Sequence, residues 1–238
     1  MTKELFLDDM YLQEFEAEVV AVENEKFVTL DQTGFYPKSG GIDNDLGSLI
    51  RIEDGSEFKV IHVAKEKGNI SHEIEPFGLK VGDRVNGKLD WNRRYQLMRY
   101  HTAAHVLSGL FFKMGNVKVT GNNMVVGQGR IDFNFPEFDR QIVENLVQEA
   151  NEIIKKDLAV STNYISRKEM DQDPSLMKLA MGLPSSIKQV RIVEIMEFDK
   201  QPDGGCHVAK LGEIGEILIK KIQNKGKNNR RLYFELKQ

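Results

Sequence analysis

The period of the hydrophobic pattern changes at Trp91, and that change limits the folds open to this chain more than any other feature. Before Trp91, apolar residues come in short runs. Phe15-Glu-Ala-Glu-Val-Val-Ala-Val-Glu alternates apolar and polar residues, the signature of a half-buried strand. Runs at 27–30, 58–63 and 69–74 read as further strands, and 81–90 as a strand pair or one bulged strand. Short strands parted by Gly, Asp and Asn predict a small β-barrel. From 92 to 114 the spacing becomes helical, with Leu97, Tyr100, Ala104, Leu107 and Phe111 on one side and Gly115-Asn116 as the stop.

Residues 116–135 read as strand, turn and strand. Pro136 opens a second helical region whose stripe is Ile142, Val143, Leu146, Ala150, Ile153 and Ile154. Strands are predicted at 159–165 and 190–195, a short helix at 167–179, and a closing hairpin from 216–222 and 231–236. The expected fold is α+β. A small β-barrel domain with a Gly-rich loop spans 1–90, followed over 91–238 by an α+β domain with an antiparallel sheet and two main helices.

The formal net charge is −3, so any polyanion must be met by a local basic patch. Arg93, Arg94 and Arg99 lead into the long helix, and Lys220, Lys221, Lys225, Lys227, Arg230 and Arg231 cluster in the last hairpin. Cys206 is the single cysteine, which rules out an internal disulfide. The N-terminal residues carry acids where a signal peptide would be apolar, and no stretch approaches the roughly 18 apolar residues of a membrane span. The chain reads as cytoplasmic, with no membrane partner; nothing in it fixes an oligomeric state.

Three segments carry chemistry. His101-Thr-Ala-Ala-His105 places two imidazoles on one helix face, within reach of a single ion. Position 102 is not Glu, so the general base of the zincin proteases is missing. Gln201-Pro-Asp-Gly-Gly-Cys-His207 puts a Gly-Gly turn, the cysteine and a third histidine in one tight segment. Thr33-Gly-Phe-Tyr-Pro-Lys-Ser-Gly-Gly-Ile-Asp-Asn-Asp-Leu-Gly47 is a Gly-rich loop without the order of a P-loop. His62 and His72 fall in predicted strands and read as structural.

In their order along the chain the three segments resemble the editing portion of alanyl-tRNA synthetase and its free-standing relatives, the AlaX proteins, from about residue 15 onward. The loop from Phe35 is similar to the family's Phe-Tyr-x-x-Ser-Gly-Gly segment, His101 and His105 match its first zinc pair, and Gly204-Gly-Cys-His-Val followed by Gly212-Glu-Ile-Gly matches the region of the second pair. The attached barrel resembles the medium-length AlaX type. One departure stands out. The family's usual second pair is Cys-x-x-x-His, and four residues before His207 stands Asp203. Zinc accepts carboxylate oxygen, so Asp203 is the favoured fourth ligand, with Cys206 as the alternative.

The resemblance implies a zinc-dependent deacylase that removes serine, and as a second substrate glycine, wrongly attached to tRNA(Ala). Thr120 aligns with a family threonine that would contact the serine hydroxyl, and Ser39, Gly40 and Gly41 would bind substrate. Two other readings of the residues compete with it: a metal-dependent hydrolase of a small ester or amide, and a non-catalytic zinc-stabilised RNA-binding module.

Overall fold

The computed structural model describes residues 1–66, 68–135, 139–184, 187–226 and 228–237. The chain divides into two compact units, Met1–Leu97 and Met98–Gln238. The fold is α+β, as the residue pattern implies.

The first unit holds β1 (Lys3–Glu4), α1 (Leu5–Asp8), β2 (Glu14–Glu23), β3 (Phe27–Leu30), β4 (Gln32–Thr33), β5 (Gly47–Arg51), β6 (Glu57–Glu66), β7 (Asn69–Glu75) and β8 (Arg84–Leu89). Six of these strands close into an antiparallel barrel in the order β2-β3-β7-β6-β5-β8. Along β2 the inward residues Phe15, Ala17 and Val19 are buried while Glu14, Glu16 and Glu18 face water.

The closing strand β5 escapes the periodicity argument, because it has five residues and only Leu49 is fully buried. It pairs with both β6 and β8. A side chain at Gly47 would meet the Lys88 carbonyl at 2.1 Å, so that close approach requires glycine. The 81–90 segment is one strand rather than a pair, since Gly82 and Asp83 turn the chain and Asp83 N–H donates to the Lys80 carbonyl at 3.0 Å.

The Gly-rich loop is cinched from inside this unit. Arg94 is 1% exposed, and its guanidinium meets the Asp45 carboxylate at 3.0 and 2.5 Å and the Gly34 and Met10 carbonyls at 2.6 and 3.1 Å. Asp45 in turn accepts from Tyr36 N–H at 2.6 Å. Arg93 pairs with Asp43 and the Asn44 carbonyl. Arg94 is scaffold, which corrects its reading as a route to RNA, while Arg93 stays partly exposed. The buried His72 spans the same region: its Nδ1 lies 2.9 Å from the Val28 carbonyl and its Nε2 2.9 Å from the Thr33 hydroxyl. Both are structural contacts.

The long helix α2 (Trp91–Gly115) crosses the unit boundary, and Asn116 at φ 56° marks its end. The expected one-sided stripe is an understatement: every residue from Met98 to Phe111 is buried. A helix covered all round carries its polar residues into the interior, where each needs a partner. Arg99 is such a case. It is buried and donates to the Ile214 carbonyl at 2.7 Å, so it too is no surface cation.

The second unit continues with β9 (Val119–Val125), β10 (Gln128–Phe133), α3 (Arg140–Ile154), β11 (Val160–Ser166), α4 (Arg167–Gln172), β12 (Gln189–Ile195), β13 (Asp199–Pro202), β14 (Glu216–Asn224) and β15 (Arg230–Lys237). One antiparallel sheet runs β14-β15-β10-β9 and a second β11-β12-β13. Asp139 caps α3 by accepting from Gln141 N–H at 2.8 Å; Pro136 lies outside the described residues. Val143, Leu146, Ala150, Ile153 and Ile154 are buried along α3, each worth roughly 1.5–3 kcal/mol when a side chain of this kind leaves water completely, alanine less. Asn151 ties α3 to β14 through both backbone groups of Ile217, at 3.0 and 2.8 Å.

The helix expected over 167–179 is broken. α4 stops at Asp173, which caps a separate 3₁₀ turn at Pro174–Leu176, because proline cannot continue a helix. Among the described residues no helix is long and apolar enough to cross a membrane.

Candidate metal centre

His101 and His105 lie one turn apart on α2, deep in the buried stretch. The opposing segment leaves β13 as a short loop from Asp203 to Val208. Arg191, inside β12, holds that loop: its guanidinium donates to the Asp203 and Gly205 carbonyls at 3.1 and 2.9 Å, and its own carbonyl accepts from Asp203 N–H at 3.0 Å. Gln201 joins loop and helix, donating to the His105 carbonyl at 3.0 Å and accepting from Ser108 at 2.9 Å. Behind it a buried Lys178–Asp199 pair at 2.9 Å receives the Gln201 amide. Sequence reading missed Arg191, Gln201 and Lys178. For Arg191 and Lys178 the signal was a charge interrupting an apolar run, which is common on surfaces too, and Gln201 stands among polar residues with no signal of its own.

Four side chains converge. One ligand atom from each of His101, His105, Asp203 and His207 lies within 4.8 Å of all the others. The imidazole centroids are 4.0, 4.5 and 4.9 Å apart. The three Nε2 atoms face the Asp203 carboxylate at 3.3 Å from His101, 3.7 Å from His105 and 3.3 Å from His207. Asp203 is steadied by an Asx turn, accepting from Gly205 N–H on Oδ1. His101 and His207 are almost completely buried, whereas 19% of the Asp203 side chain is exposed, so solvent reaches the cluster from the carboxylate side.

Burial holds the His105 imidazole below the ordinary histidine value. Burial, with the His101 and His105 rings beside it, holds His207 lower still. Burial pushes the Asp203 carboxyl up, but the charge and hydrogen bonds of His101 and the bonds from His105 and His207 outweigh it and leave it well below the usual carboxylate range. The cluster is therefore rich in lone pairs.

His101 tests whether a cation fits. Its Nδ1 lies 3.2 Å from the Cys206 carbonyl and its Nε2 3.3 Å from Asp203 Oδ2. Both neighbours are pure acceptors, and a neutral imidazole has one proton to offer. A positive charge between Nε2 and the carboxylate, a second proton or a metal ion, is needed to reconcile them. Three nitrogens and a carboxylate oxygen, with an Nδ1 anchored to a carbonyl, form a donor set that suits zinc.

The other predicted residues fall elsewhere. The Cys206 side chain is buried and is not among the converging groups; its carbonyl supports His101 instead. Thr120, exposed at the start of β9, donates to Asn229 Oδ1 at 3.2 Å. Ser39 and Ile42 exchange backbone bonds at 3.2 and 2.8 Å around Gly40 and Gly41, whose φ of 58° and 81° is the left-handed pair of a tight two-residue turn. In the last hairpin Lys221 and Lys225 are exposed, Lys220 pairs with Glu235, Arg231 with Asp132, and Arg230 is buried against Asn224 and the Gly226 carbonyl. Lys227 lies outside the described residues.

The chain is 46% identical to the alanyl-tRNA editing protein AlaX-M of Methanosarcina mazei, over 99% of this chain and 97% of that protein. It is 44% identical to the AlaX-M protein of Saccharolobus solfataricus over the full length of both. The chain belongs to the AlaX-M family. Alanine–tRNA ligase of Pyrococcus abyssi shares 34% identity with this AlaX-M chain over 92% of the chain and 24% of the ligase. The family profile for class II (A) tRNA synthetases matches residues 5–93, and that for the threonyl and alanyl tRNA synthetase second additional domain matches 190–233. The second match contains Asp203 and His207, so the loop that carries both lies within the segment matched by that domain.

Proposed function

We propose that this protein is a cytoplasmic trans-editing hydrolase that cleaves the ester of Ser-tRNA(Ala), and also of Gly-tRNA(Ala), using zinc held by His101, His105, Asp203 and His207. The observation that carries the reading is the convergence of those four side chains, with a solvent-facing edge at Asp203, in a member of a family named for alanyl-tRNA editing.

Bound zinc would supply a Lewis acid at the ester carbonyl. The chain's own residues do the rest. Burial keeps His105 and His207 neutral, all three histidines present Nε2 to the ion, and Arg191 ties the Asp203–His207 loop to β12 while Gln201 ties it to α2. Discrimination needs a polar contact. A contact to the hydroxyl separates serine from alanine far better than a size filter would; glycine has no hydroxyl, so its removal rests on its being smaller than alanine and not on this contact. Thr120 is the residue proposed to read the serine hydroxyl, by exchanging its bond to Asn229 for one to substrate. The Ser39-Gly40-Gly41 turn is proposed to bind the substrate through the backbone N–H groups of its two glycines, since the Ser39 N–H is taken by the Ile42 carbonyl. Lys221 and Lys225 are the exposed cations proposed to meet acceptor-stem phosphates, which would make binding fall with salt.

The test is deacylation of Ser-, Gly- and Ala-tRNA(Ala) side by side with zinc-loaded protein. Ser-tRNA(Ala) and Gly-tRNA(Ala) should be hydrolysed and Ala-tRNA(Ala) left largely intact, and Thr120→Val should narrow the serine-to-alanine ratio. Equal rates on all three substrates, or none on any with zinc bound, would refute the assignment.

A further inference from the structure

Thr102 sits between the two helix histidines and is completely buried. In the sequence it reads as a small spacer, yet its hydroxyl touches three groups. It donates to the Met98 carbonyl one turn back at 2.9 Å, accepts from Val208 N–H at 3.2 Å, and lies 3.1 Å from His207 Nδ1. A hydroxyl has one proton and two lone pairs. With the proton given to Met98 and one lone pair taken by Val208, the contact with His207 requires the proton to be on Nδ1. His207 Nε2 then presents a lone pair toward Asp203 Oδ1.

We propose that Thr102 is a positioning residue for the metal centre: its hydroxyl fixes His207 as the Nδ1–H tautomer, so that Nε2 carries the lone pair that ligates. The inference rests on the metal reading of the cluster. Through Val208 the same hydroxyl also pins the loop that carries His207, so one oxygen on α2 sets both the orientation and the protonation of a ligand from a distant segment. Ligating imidazoles generally need such a partner on the other nitrogen.

The experiment compares parent, Thr102→Val and Thr102→Ser by zinc affinity, in competition with a chromophoric chelator, and by nitrogen-resolved NMR of the zinc-loaded imidazoles. Thr102→Val keeps the volume and removes the hydroxyl, so zinc affinity should fall about 10–100-fold and the protected His207 Nδ1–H signal should vanish, while Thr102→Ser stays within about threefold of the parent. Parent-like affinity in Thr102→Val overturns the proposal. So does weaker affinity with the Nδ1–H signal still protected, which would mean packing alone. Should Thr102→Val fail to fold, the parent spectrum decides, since a zinc-loaded His207 that carries its proton on Nε2 is incompatible with the proposal. A parent that binds no zinc overturns the metal reading and the proposal with it, an outcome distinct from the others.

Discussion

Replacing Arg94 by alanine should destabilise the protein rather than weaken its grip on RNA. The guanidinium and its Asp45 partner are each 1% exposed, and their bonds run to 2.5, 3.0 and 3.1 Å. Alanine would leave the Asp45 carboxylate buried without its counter-charge, and breaking a buried pair from one side costs about 3–5 kcal/mol. The Gly34 and Met10 carbonyls would lose donors as well. For a chain of this size each kcal/mol moves the melting temperature by about 2–4 °C, so a drop of about 6–20 °C is expected by circular dichroism. Pairing Arg94→Met with Asp45→Leu removes both charges and should recover part of the loss. A phosphate contact behaves otherwise, lowering the salt slope of tRNA binding by about one and leaving the fold intact. An Arg94→Ala protein that melts with the parent and shows that reduced slope would refute the scaffold argument.

Asp203→Ala should release zinc far more readily than Cys206→Ser when both are dialysed against chelator and the metal is counted; the reverse order would move the fourth ligand to Cys206. Burial lowers the His72 pKa to about 4, so below 6.5 the unfolded chain binds a proton that the folded chain refuses. Stability from this group is complete above pH 6.5 and is lost as pH falls toward 4, about 3 kcal/mol in all by the 1.36 kcal/mol per pKa unit. Denaturant titrations across that window should show the slope and lose it in His72→Gln; a slope that survives assigns the proton to another group. Valine at Gly40 and Gly41 must adopt a left-handed backbone, and it should depress deacylation while zinc content stays at the parent level. Full activity in that variant would remove the turn from substrate binding.

Much of the fold is legible along the chain because it rests on local order. The alternation in β2, the helical spacing of α2 and α3, and the stop at Asn116 are short-range patterns that burial then obeys. The same holds for part of the site. The i, i+4 histidines of α2 and the Asp203-x-x-x-His207 spacing carry the chemistry in their order, and the resemblance to a family tied them together. Other features were decided only by tertiary structure. β5 is too short to show a period and exists because β6 and β8 each supply it with bonds. Arg93, Arg94 and Arg99 look like a basic approach to a helix, yet Arg94 and Arg99 are buried, since whether a charge faces water or a carboxylate depends on residues far along the chain, such as Asp45 and the Ile214 carbonyl. Thr102 and Arg191 gain their roles in the same way. A hydroxyl or guanidinium has bonds to satisfy, and once burial removes water, the partner that satisfies them is set by which distant segments pack together.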